Sequence, residues 1–480
     1  MDEKYLADAT QALRDAGVDF GDVRRVERTT EWLGVKGSRI DSHSVGDERG
    51  LCVRAAVNGR WGSAAGVLNS PEDALRYARL AAQRAHERAR VEGDGPVLAE
   101  RPAVRGEWAS PMVEDPSTVS DSEKYDLLLA ATEEMMREDK VHQAKGSMVF
   151  EATDSLTYAT NGSRIHQRTQ RSGAGIEAIA VDGGEMQNRT YPKGHEGGCE
   201  QAGYEAIRGL DLLGNAGRVA SEAAQLLTAP LMPDTEATII LHGSQLSLQV
   251  HESVGHPLEL DRVLGDEISL AGGSFAQRDR LGMTYGSPIV NLVSNPTTPG
   301  ALGSYGWDEE GQAAASFDLV RDGVLTGYLS GRFSAGRAGL PSAGTARSDG
   351  WAGYPIDRMA NVDLEPGTAG TLDDLIASTE SGFLLSNNRS WSIDQLRLNF
   401  QFGCEIAWEI RDGKLGQMYR NPLYVGSTPQ FWGSCDAICS PEAWKSWGWY
   451  FCGKGDPMQL AHVGHGVAPA RFRNIRVRSA

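Results

Sequence analysis

The stretch His251-Glu252-Ser253-Val254-Gly255-His256 restricts this chain more than any other. It sets two imidazoles and a carboxylate within six positions, beside an apolar run. Zinc takes imidazole nitrogen as a ligand, and a catalytic zinc site keeps one position open for water. The metal acidifies that water, and a neighbouring carboxylate can receive its proton. The familiar zinc-binding helix spaces its histidines four apart, so that both lie on one face. Here the spacing is five. On a regular α-helix that offset is about 140°, at about 100° per residue, and the two rings cannot converge on one ion. Two backbone solutions are open. One π-type turn brings residues five apart into line. Alternatively the helix ends and His256 lies just beyond it. Gly255 and Pro257 suit both, because glycine accepts unusual dihedrals and proline stops a helix.

Further motifs follow in a fixed order. They are Pro257-Leu258-Glu259-Leu260-Asp261, Gly303-Ser304-Tyr305-Gly306, Asp308-Glu309-Glu310-Gly311 and Asp322-Gly323-Val324-Leu325-Thr326-Gly327-Tyr328. Later come Gly426-Ser427-Thr428-Pro429-Gln430-Phe431-Trp432, Cys452-Gly453-Lys454-Gly455, Gly464-His465-Gly466 and Pro469-Ala470-Arg471-Phe472-Arg473. In order and total length the chain resembles the TldD branch of the TldD/PmbA metalloprotease family. The resemblance implies a Zn2+ peptidase with His251 and His256 as ligands, Cys452 as third ligand and Glu252 as general base. The partner branch of the family usually lacks these metal-binding residues. The resemblance also implies short or unfolded peptides as substrates. It implies a dimer enclosing the cleft, either a homodimer or a heterodimer with a TldE/PmbA-like subunit.

His465, in its Gly-His-Gly context, is expected at the substrate cleft, and Lys454 beside it, where its charge would also favour the Cys452 thiolate. Chemistry alone accepts His465 in place of Cys452 as third ligand. Asp456-Pro457-Met458 departs from the family, which more often has Gln and Gly there; the departure bears on a substrate subsite and leaves the ligands intact. Two other functions fit the same residues. One is a specialised amide hydrolase acting on a biosynthetic intermediate. The other is a non-catalytic partner subunit that keeps zinc structurally.

Bulk properties exclude several classes. A net charge of −17 argues against a nucleic-acid binder, whose footprint is a basic patch. No run approaches the length of a membrane span. The opening Met1-Asp2-Glu3-Lys4 lacks the basic and apolar regions of a secretory signal. Six cysteines in 480 residues are not a disulfide framework, and a thiolate ligand suits a reducing compartment, so the cytoplasm is expected. Cys435 and Cys439, four apart as on one helical turn, have no further ligands near them in sequence and read as structural.

The predicted class is α+β. An N-terminal α+β domain, residues 1–229, would hold one sheet and long helices. A C-terminal, mostly antiparallel β domain, residues 230–480, would carry the zinc-binding helix, with the boundary at Pro230 and Pro233. Ser70-Pro71 and Ser120-Asp121-Ser122-Glu123 are helix starts. Gly93 to Thr118 reads as a long connection, and Gln201 to Leu227 as helical. Gly37-Ser38-Arg39-Ile40 is echoed by Gly162-Ser163-Arg164-Ile165. Each copy is followed by an apolar run closed by Asn58-Gly59 or Asp182-Gly183, and each reads as two strands joined by a turn. Asp322-Gly323 and Asp412-Gly413 mark further hairpins.

Overall fold

The computed structural model describes residues 2–91, 98–99, 102–194 and 197–480. The fold is α+β. Its first sheet contains β1 (Phe20–Lys36), β2 (Arg39–Val57), β3 (Arg60–Val67), β4 (Arg105–Ala109), β5 (Val141–Ala159), β6 (Arg164–Asp182), β7 (Glu185–Tyr191) and β8 (Gly198–Glu200). The order is β3-β2-β1-β5-β6-β4, with β7 and β8 also on β6. The echoed segments therefore occupy equivalent places, β1-β2-β3 and β5-β6-β7. Each apolar run, however, belongs to one continuous 19-residue strand and not to a strand pair. The polar stretch 41–48 stays extended because β1 pairs along it. The first tight corner falls where expected: Asn58-Gly59 has φ of 50° and 71°, the left-handed pair that a two-residue hairpin turn needs. The second falls one residue later than Asp182-Gly183, at Gly183-Gly184 (φ 56° and 89°), because Asp182 still pairs with Glu185.

Among the described residues four long helices cover one side of this sheet, the first of them Asp2–Asp15, whose Leu6, Ala9 and Leu13 are buried. In α1 (Pro71–Arg88) the Ser70 side chain accepts from the Asp73 N–H and Asp73 returns the bond, while Pro71 fills the first helical position. Its alanines 74, 78, 81, 82 and 85 are buried. In α2 (Asp121–Met135) Ser120 accepts from the Glu123 N–H. The helical stretch before residue 227 is broken at Asp211, which is left-handed (φ 48°) and caps α3 (Leu212–Leu226) through the Gly214 N–H. Of the expected connection, residues 93–97, 100 and 101 lie outside the described residues. Its later part is not all loop, since β4 joins β6 in parallel there.

The second sheet closes on itself. It contains β9 (Thr235–Leu241), β10 (Ser381–Ile393), β11 (Asn399–Arg411), β12 (Lys414–Arg420), β13 (Pro422–Ser427) and β14 (Cys435–Ile438), followed after a separate hairpin by β17 (Ala470–Ser479). The order is β10-β9-β17-β13-β11-β12, and β10 also pairs with β11, which completes a barrel-like ring. The separate hairpin is β15 (Lys445–Lys454) with β16 (Gln459–Val467). Cys435 and Cys439 sit on and just after a strand, and not on a helical turn, because β14 pairs with β17. All six cysteines are buried. Among the described residues no helix is long and apolar enough to cross a membrane.

Candidate metal centre

Strand β9 leads straight into α4 (Gly243–Val250) through His242. From Gly243 to Arg262 every residue is buried. A helix buried on all sides is usually apolar all round. This one instead carries Ser, Gln, His and Glu, so its polar groups need partners. Gln245 Nε2 donates to the Tyr424 hydroxyl (3.0 Å), which donates to Gln249 Oε1 (2.9 Å). Gln249 Nε2 donates to Ser253 Oγ (3.0 Å), which also accepts from Trp432 Nε1 (2.9 Å). The network pins one face of the helix to the barrel wall.

The five-residue spacing is resolved by a π turn over His251–Gly255, in which the His256 N–H donates to the His251 carbonyl. Pro257 has no N–H to give the carbonyl of Ser253, four residues earlier. The Tyr285 hydroxyl fills that place. Gly255 is needed at the turn for space: a Cβ there would lie 1.8 Å from Met359 Sδ. The wider turn sets the two imidazole centroids 4.8 Å apart.

The third group comes from the β15–β16 hairpin. In a regular strand, Trp447, Trp449 and Phe451 would share a face and Cys452 would point away. A bulge between Trp449 and Cys452 inserts the extra residue. Such a bulge re-aims the side chains that follow it, and Cys452 turns back to the helix side with Trp447 and Trp449. Sγ of Cys452 lies 3.6 Å from Nε2 of His256. Ligand atoms of His251, His256 and Cys452 all fall within 4.8 Å of one another. A tetrahedral zinc with ordinary Zn–N and Zn–S distances has an N···S edge of about 3.6 Å. The donor set and its spacing therefore fit such an ion.

Buried partners orient each donor. His465 Nδ1 faces the Val362 carbonyl at 2.9 Å, so that nitrogen carries the proton. Burial, then the neighbouring His251, push the His465 pKa well below the ordinary value, so the ring is neutral and its Nε2 is an acceptor. That acceptor takes the proton of His251 Nδ1 at 2.8 Å, which leaves the lone pair of His251 on Nε2. His256 Nδ1 donates to Glu259 Oε2 at 3.1 Å, and its lone pair likewise stays on Nε2. Burial would raise the Glu259 carboxyl, but Lys454, His256 and Arg262 outweigh it and hold it well below the carboxylate range. Burial also pushes the Cys452 thiol up, yet Arg358 and His256 bring it below its ordinary value, towards the thiolate that a metal requires.

Glu252 stands in the middle of the π turn, and its Oε2 accepts from Arg397 Nη1 at 3.1 Å. Arg397 reaches it from the β10–β11 loop, where it is left-handed (φ 59°). His465 and Lys454, expected at the substrate cleft, are both buried, and each contacts a residue of the metal centre. His465 is fully buried behind His251. Lys454 Nζ donates to Asp261 (2.5 Å) and the Asp357 carbonyl (2.6 Å) and pairs with Glu259 (3.3 Å). Sequence reasoning missed Glu259, Arg397 and the buried Lys193, whose ammonium lies 3.9 Å from the Trp449 ring centroid. Glu259 had a signal, since it follows His256 by three residues as a helical neighbour would. Arg397 had none.

His242 makes the helix start sensitive to pH. Its Nδ1 accepts from the Ser244 N–H at 3.3 Å. Burial, with Arg189, Arg218 and Lys445, lowers its pKa to about 4. The unfolded chain takes up this proton near 6.5, and the folded chain holds out to about 4. Lowering the pH through that window therefore favours the unfolded state, by about 2 kcal/mol at pH 5. His242→Asn, which can still cap, is expected to show a shallower fall in melting temperature between pH 7 and 5 than the wild type at matched metal content. Equal slopes would exclude His242 as the source.

Known proteins match the whole chain. The three domain models of the PmbA/TldA metallopeptidases match residues 21–89 (domain 1), 114–231 (central domain) and 234–479 (C-terminal domain). A metalloprotease of Methanothermobacter thermautotrophicus is 28% identical over 477 residues, 99% of each chain. A zinc metalloprotease TldD homolog of Saccharolobus solfataricus is 23% identical over 243 residues, 50% of this chain and 51% of that one. The crystal structure of TldE from Thermococcus kodakarensis shares the fold, with a TM-score of 0.72 at 15% identity over 99% of this chain and 100% of that one. The matched models, covering most of the sequence from residue 21 onward, make this chain a member of the PmbA/TldD metallopeptidase family.

Proposed function

We propose that the protein is a zinc-dependent peptidase that hydrolyses short or unfolded peptides, with His251, His256 and Cys452 holding the metal and Glu252 as general base. The observation that carries this reading is the convergence of two imidazole Nε2 lone pairs and one thiol, beside a carboxylate that is not among the three donors. Zinc, when bound there, polarises the scissile carbonyl and acidifies water. The chain's own residues do the rest. Glu252 accepts the proton of the attacking water and returns it to the leaving amine. Arg397 steadies the Glu252 carboxylate. Glu259 and His465 lock the imidazole tautomers, and Lys454 supports Glu259 from behind. Lys454 and His465 are thus positioning residues in this reading. An extended peptide would pair its backbone with an exposed strand edge, which tolerates many sequences.

The test is hydrolysis of an unstructured peptide by the purified protein, before and after chelation. Turnover is expected to vanish on removal of metal and to return with stoichiometric zinc. Turnover that survives complete metal removal would overturn the reading. Small amides assayed in parallel separate a peptidase from a specialised amide hydrolase. The dimer, with an identical or a TldE/PmbA-like subunit, belongs to the same proposal; native mass spectrometry of the protein alone and mixed with such a subunit tests it.

A further inference from the structure

The β15–β16 hairpin has two faces, and only one serves the metal centre. Cys452 and His465 point to the helix, while Tyr450 and His462 point to the first sheet. Between the hairpin and that sheet lies a cavity of about 280 Å³. Its floor is one face of β1, where alternate residues from Arg24 to Trp32 project, continued by β5 and β6.

Most charges in this cavity are matched in place. Glu151 accepts from Arg171 (2.5 Å) and the Tyr450 hydroxyl (2.9 Å), and meets His462 Nε2 at 3.2 Å. Arg24 pairs with Glu309, and Arg28 with Glu48 (2.9 Å) and Asp349 (3.1 Å). Asp308 accepts from the backbone N–H groups of Glu310, Gln312 and Ala346. Arg347 is different. Among the described residues no carboxylate pairs with it. Its Nη1 donates to the carbonyls of Met359 (2.9 Å) and His462 (2.6 Å), and its guanidinium lies 5.9 Å from the Tyr305 ring centroid. Burial, with the neighbouring Arg171 and Arg358, lowers its pKa to about 10. The surrounding walls are aromatic: Trp32 and Phe451 stack at 5.8 Å, and Trp108, Trp307 and Tyr305 also line the space.

An unmatched guanidinium in an aromatic pocket recognises a planar anion on a flat apolar body, because its fork fits a carboxylate and indole or phenyl faces fit a ring. We infer that this cavity is a second binding site, separate from the metal centre, for a carboxylate borne on an aromatic group, held by Arg347 beside Trp307 and the stacked pair Trp32–Phe451. The cavity is sized for one ring and a short chain. Such a carboxylate has two sources, a free aromatic acid or the C-terminal residue of a peptide. Either occupant would rest on the back of the hairpin that presents Cys452. The site does not depend on the peptidase reading, and its test reads binding alone.

The test is calorimetric titration of the full chain with 3-phenylpropionate and with its uncharged amide. The acid is expected to bind saturably, and the amide to bind about tenfold or more weakly, since a charge-assisted bond to arginine is lost. Arg347→Met should reduce binding of the acid by a similar factor with the melting temperature recorded alongside. Should that variant fail to fold, the acid–amide comparison on the wild type decides by itself. Chelation should leave binding unchanged. Equal binding of acid and amide, unchanged binding to a folded Arg347→Met, or loss of binding on chelation, which would place the acid on the metal, each overturns the inference. A phenylalanine-ended hexapeptide, tested with a free and an amidated C-terminus on Glu252→Gln, assigns the source: preference for the free carboxylate indicates a chain end, and no peptide binding beside binding of the acid indicates a small molecule.

Discussion

Glu252→Gln is expected to lower kcat for peptide hydrolysis by about 10³ to 10⁴, with zinc still bound at one ion per chain. Three features of the site make this variant informative. Glu252 is not one of the three donors, so its loss leaves the metal-binding set intact. Glutamine has the same length and keeps an oxygen for Arg397 Nη1, so the π turn keeps its side-chain anchor. What disappears is the basic lone pair that receives a proton. A group that acts only in the transition state should depress kcat and kcat/KM together and leave KM nearly unchanged. Peptide kinetics and metal analysis on one preparation check the pair of outcomes. Normal turnover would remove Glu252 from the mechanism. Loss of zinc with loss of turnover would instead make Glu252 part of the metal-binding structure, and a melting temperature separates that result from unfolding.

The sequence read alone supplies the metal helix and the turns more readily than the surroundings of the metal. The six residues from His251 to His256 carry their own geometry, because a five-residue spacing can serve one ion only through a widened turn or a helix end. The structure has the widened turn. Asn58-Gly59, Asp322-Gly323 and Asp412-Gly413 are legible for a similar reason: each needs left-handed backbone, and each has it. The partners of the donors are a different matter. His465 reaches His251 only because Trp447 is paired with it across the hairpin, and Cys452 reaches His256 only because of the bulge at Tyr450 and Phe451. Nothing in Trp449-Tyr450-Phe451-Cys452 announces that extra residue, so the face on which each side chain falls is not readable from alternation. Arg397 meets Glu252 across 145 positions of sequence from a loop with no motif. The buried polar helix was also hidden, since Tyr424, Trp432 and Tyr285, which satisfy it, lie far from it in sequence.

The second large effect follows from the same hairpin and decides the third ligand. Cys452→Ala is expected to weaken zinc binding by more than about 100-fold, because removal of an outer partner alone typically costs about 10- to 100-fold and a direct donor costs more. His465→Gln is expected to fall within that smaller range. The order rests on hydrogen bonds already in place. His465 has one nitrogen on the Val362 carbonyl and the other 2.8 Å from His251 Nδ1, so neither is left to bind a cation. Cys452 Sγ has His256 Nε2 at 3.6 Å and a thiol pKa brought down, against its burial, by Arg358 and His256. Competition with a chromogenic chelator, run on both variants and the wild type, measures the two losses on one scale. A Cys452→Ala chain that retains zinc while His465→Gln releases it would transfer the third position to the imidazole, and it would require the hairpin to shift its register so that His465 leaves His251. The opposite order leaves His465 as the group that holds the His251 tautomer, and ties the metal to the single bulge that turns Cys452 inward.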